Sequence, residues 1–240
     1  MAGGEGSRFA PYSKLLEKSM LPLAGKPIVR IIVERLLKSL EIPASDITIC
    51  ILMKHKDHFY HEFRDIEGIQ FSIEETPKGT ASDYFMAAYM RGIEDNEVSL
   101  VHYADCFTDI DYNGMLVKYY NAKHDALIAI TQNVRHDYSE VQVKVEVPVS
   151  RVSTIIEKPL LRMPTWTGIA IFRHRAIKEI IGGYTEATRQ RFDFGYDILP
   201  ALVEKGEVVP YLNSSAWYDV GNVNQYQRLR ELVENGDIEL

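Results

Sequence analysis

Cysteine is nearly absent, with Cys50 and Cys106 the only two in 240 residues. A single chain therefore cannot build a disulfide framework or a multi-cysteine zinc site, and both thiols read as small buried hydrophobes. No stretch approaches the roughly 18 unbroken apolar residues of a membrane span, and the N-terminus lacks the basic-then-apolar order of a signal peptide. A basic surface is missing too. With a net charge of -7 the chain lacks the cationic face by which general nucleic-acid binders displace counterions from phosphates. Internal repeats, low-complexity tracts and linkers are also missing. What remains is an ordinary globular composition, 46% hydrophobic and 25% charged. It is compatible with one large domain, and a cytoplasmic enzyme that engages neither membrane nor nucleic acid is expected.

Hydrophobic spacing supplies the order of elements. Ile28, Ile31, Ile32, Leu36, Leu37 and Leu40 recur at helical spacing behind Pro27, a residue tolerated in a first helical turn. "DITICILM" (46–53) is dense in β-branched residues and predicts a buried strand. A polar helix near His55–Arg64, a strand near Ile69–Glu74 and a helix from Ala81 to about Met90 follow. "VSLVHYA" (98–104), a helix near Gly114–Lys123 and the strand "ALIAIT" (126–131) continue the alternation. Such alternation predicts an α/β fold, a doubly wound and mostly parallel sheet that binds ligands beyond the carboxyl ends of its strands. The second half predicts strands at Glu140–Glu146, Val152–Ile156 and Gly168–Phe172, then helices near Ile198–Lys205 and Asn224–Asn235. The expectation is one domain over 1–240, with a lobe at about 1–135 and a smaller α+β lobe at about 136–240.

Against the acidic whole, residues 1–30 hold Arg8, Lys14, Lys18, Lys26 and Arg30 against Glu5 and Glu17, a local charge of +3. Two phosphate-binding patterns fail there. A P-loop needs G-x-x-x-x-G-K-[ST], but Met20 stands at the first Gly and Pro27 at the hydroxyl position around Gly25-Lys26. A dinucleotide fingerprint needs G-x-G-x-x-G, and from Gly4 and Gly6 the third position is Phe9.

The stretch instead reads A-G-G-x-G-[ST]-R, then Pro11, then Lys18, then "MLPLAGKPI". This ordered pattern resembles the signature of the sugar-1-phosphate nucleotidylyltransferases, the nucleotide-sugar pyrophosphorylases, whose fold is Rossmann-like. The resemblance implies that Ala2, Gly3, Gly4, Gly6 and Ser7 wrap a nucleoside triphosphate while Arg8 and Lys18 act on its phosphates. Glycines let backbone N–H groups approach a ligand without an intervening Cβ. An arginine forks onto phosphate oxygens, and a lysine is a compact point charge. One departure is Glu17, where the family usually has Pro; a side chain facing solvent is expected there.

Later landmarks follow in order. "EETPKGTASDYF" (74–85) resembles the base-reading segment, which implies nucleotide contacts for Glu74, Gly79 and Thr80; Glu74 could accept from guanine or cytosine amino groups. "VHYADCF" places Asp105, and "AWYDVG" Asp219, where the family holds Mg2+; that ion prefers one or two carboxylates with substrate phosphates and water. "IIEKP" and "WTGIAIF" resemble the sugar-phosphate strands, which implies Glu157 on sugar hydroxyls, Lys158 on the sugar's phosphate, and Thr167 and Gly168 lining the pocket. Tyr138-Ser139 stands where a Tyr-Gly pair is usual.

The resemblance thus implies a Mg2+-dependent transfer, in which a nucleoside triphosphate and a sugar 1-phosphate give a nucleotide sugar and pyrophosphate. "FDFGYDILP" (192–200) favours a mannose-1-phosphate guanylyltransferase-like branch, with a glucose-1-phosphate thymidylyltransferase-like one beside it. A choline-phosphate cytidylyltransferase-like enzyme and a non-catalytic regulatory subunit are the rivals, the second opposed by the retained Arg8, Lys18, Asp105, Lys158 and Asp219. Whether the chain is a monomer or a homo-oligomer stays open. Finally, a central apolar strand is expected directly before the Ala-Gly-Gly turn, and only Met1 stands there. An upstream extension, another segment or a partner chain is expected to fill that slot.

Overall fold

In the computed structural model, residues 1–3, 9, 16–132, 134–135, 140–144, 151–156, 160–161 and 163–238 are described. Strands β1 (Pro22–Leu23) and β2 (Lys26–Pro27) make a hairpin whose turn residues Ala24 and Gly25 both take positive φ. Helix α1 (Ile28–Leu40) starts at once, and Ile28, Ile31 and Ile32 face inward as their spacing predicts. The alternation then runs β3 (Thr48–Leu52), α2 (Lys56–Glu62), β4 (Gln70–Glu74), α3 (Thr80–Arg91), β5 (Val98–His102), β6 (Cys106–Thr108), α4 (Tyr112–Ala122) and β7 (Ala126–Thr131). Two antiparallel ladders follow, β8 (Val134–Arg135) with β11 (Leu160–Leu161) and β9 (Glu140–Lys144) with β10 (Arg151–Ile156). The chain closes with β12 (Thr165–Arg173), α5 (His174–Ile181), α6 (Tyr184–Arg189), a wide turn at Phe194–Ile198, α7 (Leu199–Glu204), β13 (Val208–Leu212), β14 (Trp217–Asp219) and α8 (Val223–Glu234). Among the described residues, no helix is long and apolar enough to cross a membrane.

The α/β class is as expected, with one strand reversed. The main sheet has the order β13-β7-β12-β5, in which β13 is parallel to β7 and β12 is antiparallel to both its neighbours. Thus the strand expected in the smaller lobe lies inside the main sheet. Both of its faces are covered: Ala170 and Phe172 pack with α3, α5 and α7, while Ile169 and Ile171 pack against Met115 and Tyr119 of α4. A strand buried on both faces reads as a continuous apolar run, which carries no sign of direction. Strand β13 escaped the sequence reading because Pro210 interrupts it and its residues are only half-buried or exposed; proline is accommodated here because β13 is an edge strand.

Parallel β3 and β4 form a separate pair. Between β3 and β5 lies the backbone of Met1 and Ala2. Ala2 N–H donates to Cys50 O at 2.9 Å, the Met1 amine to His102 O at 2.8 Å, and Ala104 N–H to Met1 O at 3.0 Å. Ala2 is bridged in parallel to Ile51, so these two residues run parallel to both strands. Along the same line a cavity of about 550 Å³ continues between Thr48, Ile49, Val98 and Leu100. Because backbone groups alternate along a strand, those of Thr48, Val98 and Leu100 face it, on the same side as Cys50 O and His102 O.

Two parallel strands with a cavity between them form the geometry expected to admit one more parallel strand. Placing five β-branched residues ahead of Met1 should join the two sheets and raise Tm by about 5 °C or more, since ~1 kcal/mol moves Tm by 2–4 °C at this size. Amide exchange in β3 and β5 should slow. A lysine-rich extension of equal length should do neither, and equal effects from both extensions would show that the cavity does not select a strand.

Candidate active site

Strand β5 delivers Asp105 to a turn at its carboxyl end, where Cys106 N–H closes back on Tyr103 O at 3.0 Å. The chain then reverses into β6, which pairs antiparallel with β14 so that Cys106 faces Asp219. Val220 N–H donates to Asp105 O at 2.8 Å and locks the junction. Through this ladder, ligand atoms of Asp105, Cys106 and Asp219 come within 4.8 Å of one another. Two hard carboxylates suit a small divalent cation, whereas a thiol does not. Burial pushes the Cys106 thiol well above its ordinary pKa, and the charges of Asp105 and Asp219 push it further. It stays protonated, with its S–H aimed at Asp105 Oδ1 at 3.6 Å. Nothing in the sequence pattern marks Cys106 as part of this cluster.

Lys18 joins the same group, its ammonium bonded to Asp105 Oδ2. Burial works against this ammonium, but the charge and hydrogen bond of Asp105, then the charges of Glu17 and Asp219, outweigh it; the pKa lies above the ordinary lysine value. The lysine is therefore a held cation at the mouth of two carboxylates. Lys26 and Arg30 serve elsewhere: Lys26 pairs with Glu34 at 2.8 Å, and Arg30 forks onto Asp65 at 2.7 and 2.6 Å. Part of the positive charge of the first 30 residues is thus spent on surface pairs.

Glu17 does not face solvent, contrary to the expectation. It is 3% exposed, because the Lys18–Met20 turn that it opens is packed into the core. Burial raises its pKa to about 7, against the lowering effect of its bonds with Ser19.

Gly79 and Thr80 open α3. Gly79 has φ +96°, and a Cβ there would strike the Phe192 carbonyl. Thr80 N–H donates to Asp193 Oδ1 at 3.0 Å, and the Thr80 hydroxyl accepts from Tyr103 O–H at 3.0 Å and Phe194 N–H at 3.1 Å. Asp193 thus caps this helix from the far half of the chain, a role that local sequence cannot reveal. Glu74 ends β4, and among the described residues its two buried oxygens lack a hydrogen-bond partner apart from an acid proton on Asp83. Asp83, 5% exposed, lies against Ala2-Gly3: a Cβ on Gly3 would be 2.9 Å from Asp83 Oδ2. Burial, then the hydrogen bond and charge of Glu74, push the Asp83 pKa up to about 9.

Gly168 brings β12 to the carboxylates. Its φ is +79°, and a Cβ there would lie 3.0 Å from Cys106 Sγ and 3.1 Å from Tyr103. Thr167 is fully buried and its hydroxyl donates to Ala129 O at 2.9 Å, drawn inward by the sheet. Gly4, Gly6, Ser7, Arg8, Tyr138, Ser139, Glu157 and Lys158 lie outside the described residues.

The family model described as nucleotidyl transferase matches residues 1–236. The chain is similar to glucose-1-phosphate adenylyltransferase 2 of Vibrio cholerae, 26% identical over 261 residues that cover 94% of this chain and 63% of that protein. It is also similar to UTP--glucose-1-phosphate uridylyltransferase of Synechocystis sp., 25% identical over 244 residues, covering 94% and 60%. The chain therefore spans 60–63% of the length of these curated relatives. In fold it is similar to a Bacillus anthracis protein provisionally identified as a glucose-1-phosphate thymidylyltransferase and crystallised with a sucrose. That likeness has a TM-score of 0.73 at 21% identity, over 100% of this chain and 94% of that one.

The Asp83 carboxyl generates a pH prediction. The folded chain keeps this proton to about pH 9, whereas an unfolded aspartate releases it near 3.8, so unfolding releases a proton between those values and stability falls as pH rises. The slope is at most about 1.4 kcal/mol per pH unit for one proton. Asp83→Asn should flatten the fall of Tm between pH 5 and 8 and leave Tm at pH 8 above that of the parent. Parallel Tm profiles for the two proteins would mean that Asp83 is ionised in the fold.

Proposed function

Because the chain belongs to the nucleotidyl transferase family, we propose that it joins a nucleoside triphosphate to a sugar 1-phosphate, giving a nucleotide sugar and pyrophosphate. The observation that carries this reading is the Lys18 ammonium held against the Asp105–Asp219 pair at the carboxyl end of β5. Two polyanionic substrates require positive charge, which Lys18 would supply directly and the two carboxylates by holding a divalent cation. In the reaction a phosphate oxygen of the sugar phosphate attacks the α-phosphorus in line; that P–O bond forms as the bond to the bridging oxygen breaks, and its electron pair leaves with pyrophosphate. Positioning and charge stabilisation suffice, so no side-chain nucleophile is needed.

Asp105 and Asp219 would hold Mg2+, and their hard oxygens fit it while the protonated Cys106 does not compete. When bound, the ion would offset phosphate charge during the transfer. Lys18 would release Asp105 for the triphosphate and carry positive charge to the departing pyrophosphate. Arg8 would act on the same phosphates, and Ala2, Gly3, Gly4, Gly6 and Ser7, with the turn at Gly79 and Thr80, would cradle the nucleotide. Glu74, buried beside Asp83, would accept from a base amino group. Glu157 and Lys158 would hold the sugar phosphate, with the backbone of Thr167 and Gly168 closing that side. Free metabolites in the cytoplasm, rather than nucleic acid, belong to the same reading, supported by the net charge of -7.

Pyrophosphate release measured with each common nucleoside triphosphate, Mg2+ and a panel of sugar 1-phosphates tests the proposal directly. Release that needs both substrates is expected; no release with any pair would refute it. Lys18→Ala should lower turnover by about 100-fold or more, because a group aimed at transition-state charge is worth roughly 3 kcal/mol. Asp105→Asn and Asp219→Asn should each abolish most Mg2+-dependent turnover while Tm without ligand stays near the parent value. Turnover within threefold of the parent in any of the three removes that residue from the site.

In separate titrations, Glu157→Gln and Lys158→Ala should raise KM for the sugar phosphate far more than for the nucleotide. Equal increases for both substrates would reject that division of labour.

A further inference from the structure

Lys18 opens a single turn of three residues, Lys18–Met20, too short to hold itself in water or in a core. Its N–H groups find partners in a set order. Met20 N–H donates to Glu17 O at 2.9 Å and Leu21 N–H to Lys18 O at 3.1 Å, while Ser19 N–H donates to the Glu17 side chain, Oε2, at 2.6 Å. The Ser19 hydroxyl donates to the same oxygen. Glu17 therefore satisfies two successive backbone donors of the turn, one with its carbonyl and one with its carboxyl group. Ser19 is fully buried and Met20 sits in a core cluster with Ala2, Val29 and Ile49, so the turn is clamped from below. The backbone of Glu17 itself has φ -67° and ψ 140°. That φ is the one a proline ring would impose.

On the reading given under Proposed function, we infer that Glu17 is a positioning residue for the transfer, whose buried carboxyl group fixes the Lys18–Met20 turn and so aims the Lys18 ammonium at the Asp105–Asp219 pair. The hydrogen bonds of its carboxyl group go to Ser19. Its service is to Lys18, whose stem leaves the backbone one residue after the carboxyl group that closes the turn. Without that cap the Ser19 N–H is a buried donor with no partner, and such a group is relieved by opening the turn. An opened turn moves the root of a long side chain. A displacement of about 1 Å at the reacting centre can cost as much as 100-fold in rate.

Three variants separate this role from mere packing. Glu17→Ala deletes the acceptor. Glu17→Gln keeps an amide oxygen for Ser19 N–H, and Glu17→Pro discards the acceptor but fixes φ by its ring. Turnover and both KM values are measured by pyrophosphate release well below the Tm of each protein, with exchange of the Ser19, Met20 and Leu21 amides followed by NMR. Glu17→Ala is expected to lower kcat by about tenfold or more with nucleotide KM within threefold, and to speed exchange of the Ser19 amide. Glu17→Gln should restore both kcat and protection, and Glu17→Pro should restore kcat.

The inference is overturned if Glu17→Ala lowers Tm while its kcat matches the parent, or if Gln and Pro rescue neither quantity. Should Glu17→Ala fold too poorly to assay, the Gln protein decides: a tenfold loss of kcat with the Ser19 amide still protected overturns the inference, and parental kcat with that amide protected supports it. A parent protein that releases no pyrophosphate with any substrate pair refutes the functional reading instead, and faster exchange of the Ser19 amide in Glu17→Ala, absent in Glu17→Gln, then still reports whether the carboxyl group holds the turn.

Discussion

The short ladder between β6 and β14 is the constraint on which the site depends. Each strand has three residues, and neither would persist alone. Together, with Val220 N–H bonded to Asp105 O, they place Asp105 and Asp219 side by side although the two residues come from opposite halves of the chain. Thr108 reinforces the junction by donating to Ala216 O at 2.8 Å, and Trp217 Nε1–H ties β14 to Thr167 O at 3.0 Å. Like charges held this close repel, so the ladder and a neighbouring cation have to supply what the carboxylates alone cannot.

Lys18 is that cation, and its surroundings show how a few charges are balanced in a nearly dry place. Burial alone would favour the neutral amine; two aspartates and Glu17 reverse the outcome. Glu17 meets the opposite conflict, since burial favours its neutral form while its bonds with Ser19 favour the ionised one. Asp83 resolves a third conflict by keeping a proton beside Glu74, because two carboxylates cannot both be charged at short range in a buried setting. The same physics thus yields a charged pair at Lys18 and a shared proton at Asp83.

The scaffold explains why these groups converge. Strand β12 passes antiparallel between β5 and β7, with one face on α3, α5 and α7 and the other on α4. That central strand carries Gly168 to the turn of Asp105 and fixes Thr167 by its hydroxyl. On the other side Met1 and Ala2 bond to both β3 and β5, the second of which presents Asp105.

Much of this was legible along the chain. The spacing of Ile28, Ile31 and Ile32 specified α1, and the β-branched runs specified β3 and β7, because local periodicity reports which face is buried. The order of Lys18, Asp105 and Asp219 nominated three residues that the fold brings together. Other features were not local. Pro210 hid an edge strand, the direction of β12 left no trace in its residues, and Asp193 caps α3 across more than a hundred positions. The burial of Glu17, the inward turn of Thr167 and the presence of Cys106 beside the carboxylates were likewise invisible. The sequence by itself determined which segments coil or extend and which charged residues were available, since those follow from neighbours a few residues apart. Only the tertiary structure decided which charges meet, which are buried and which keep their protons, because distance and dielectric are set by contacts between residues far apart in the chain.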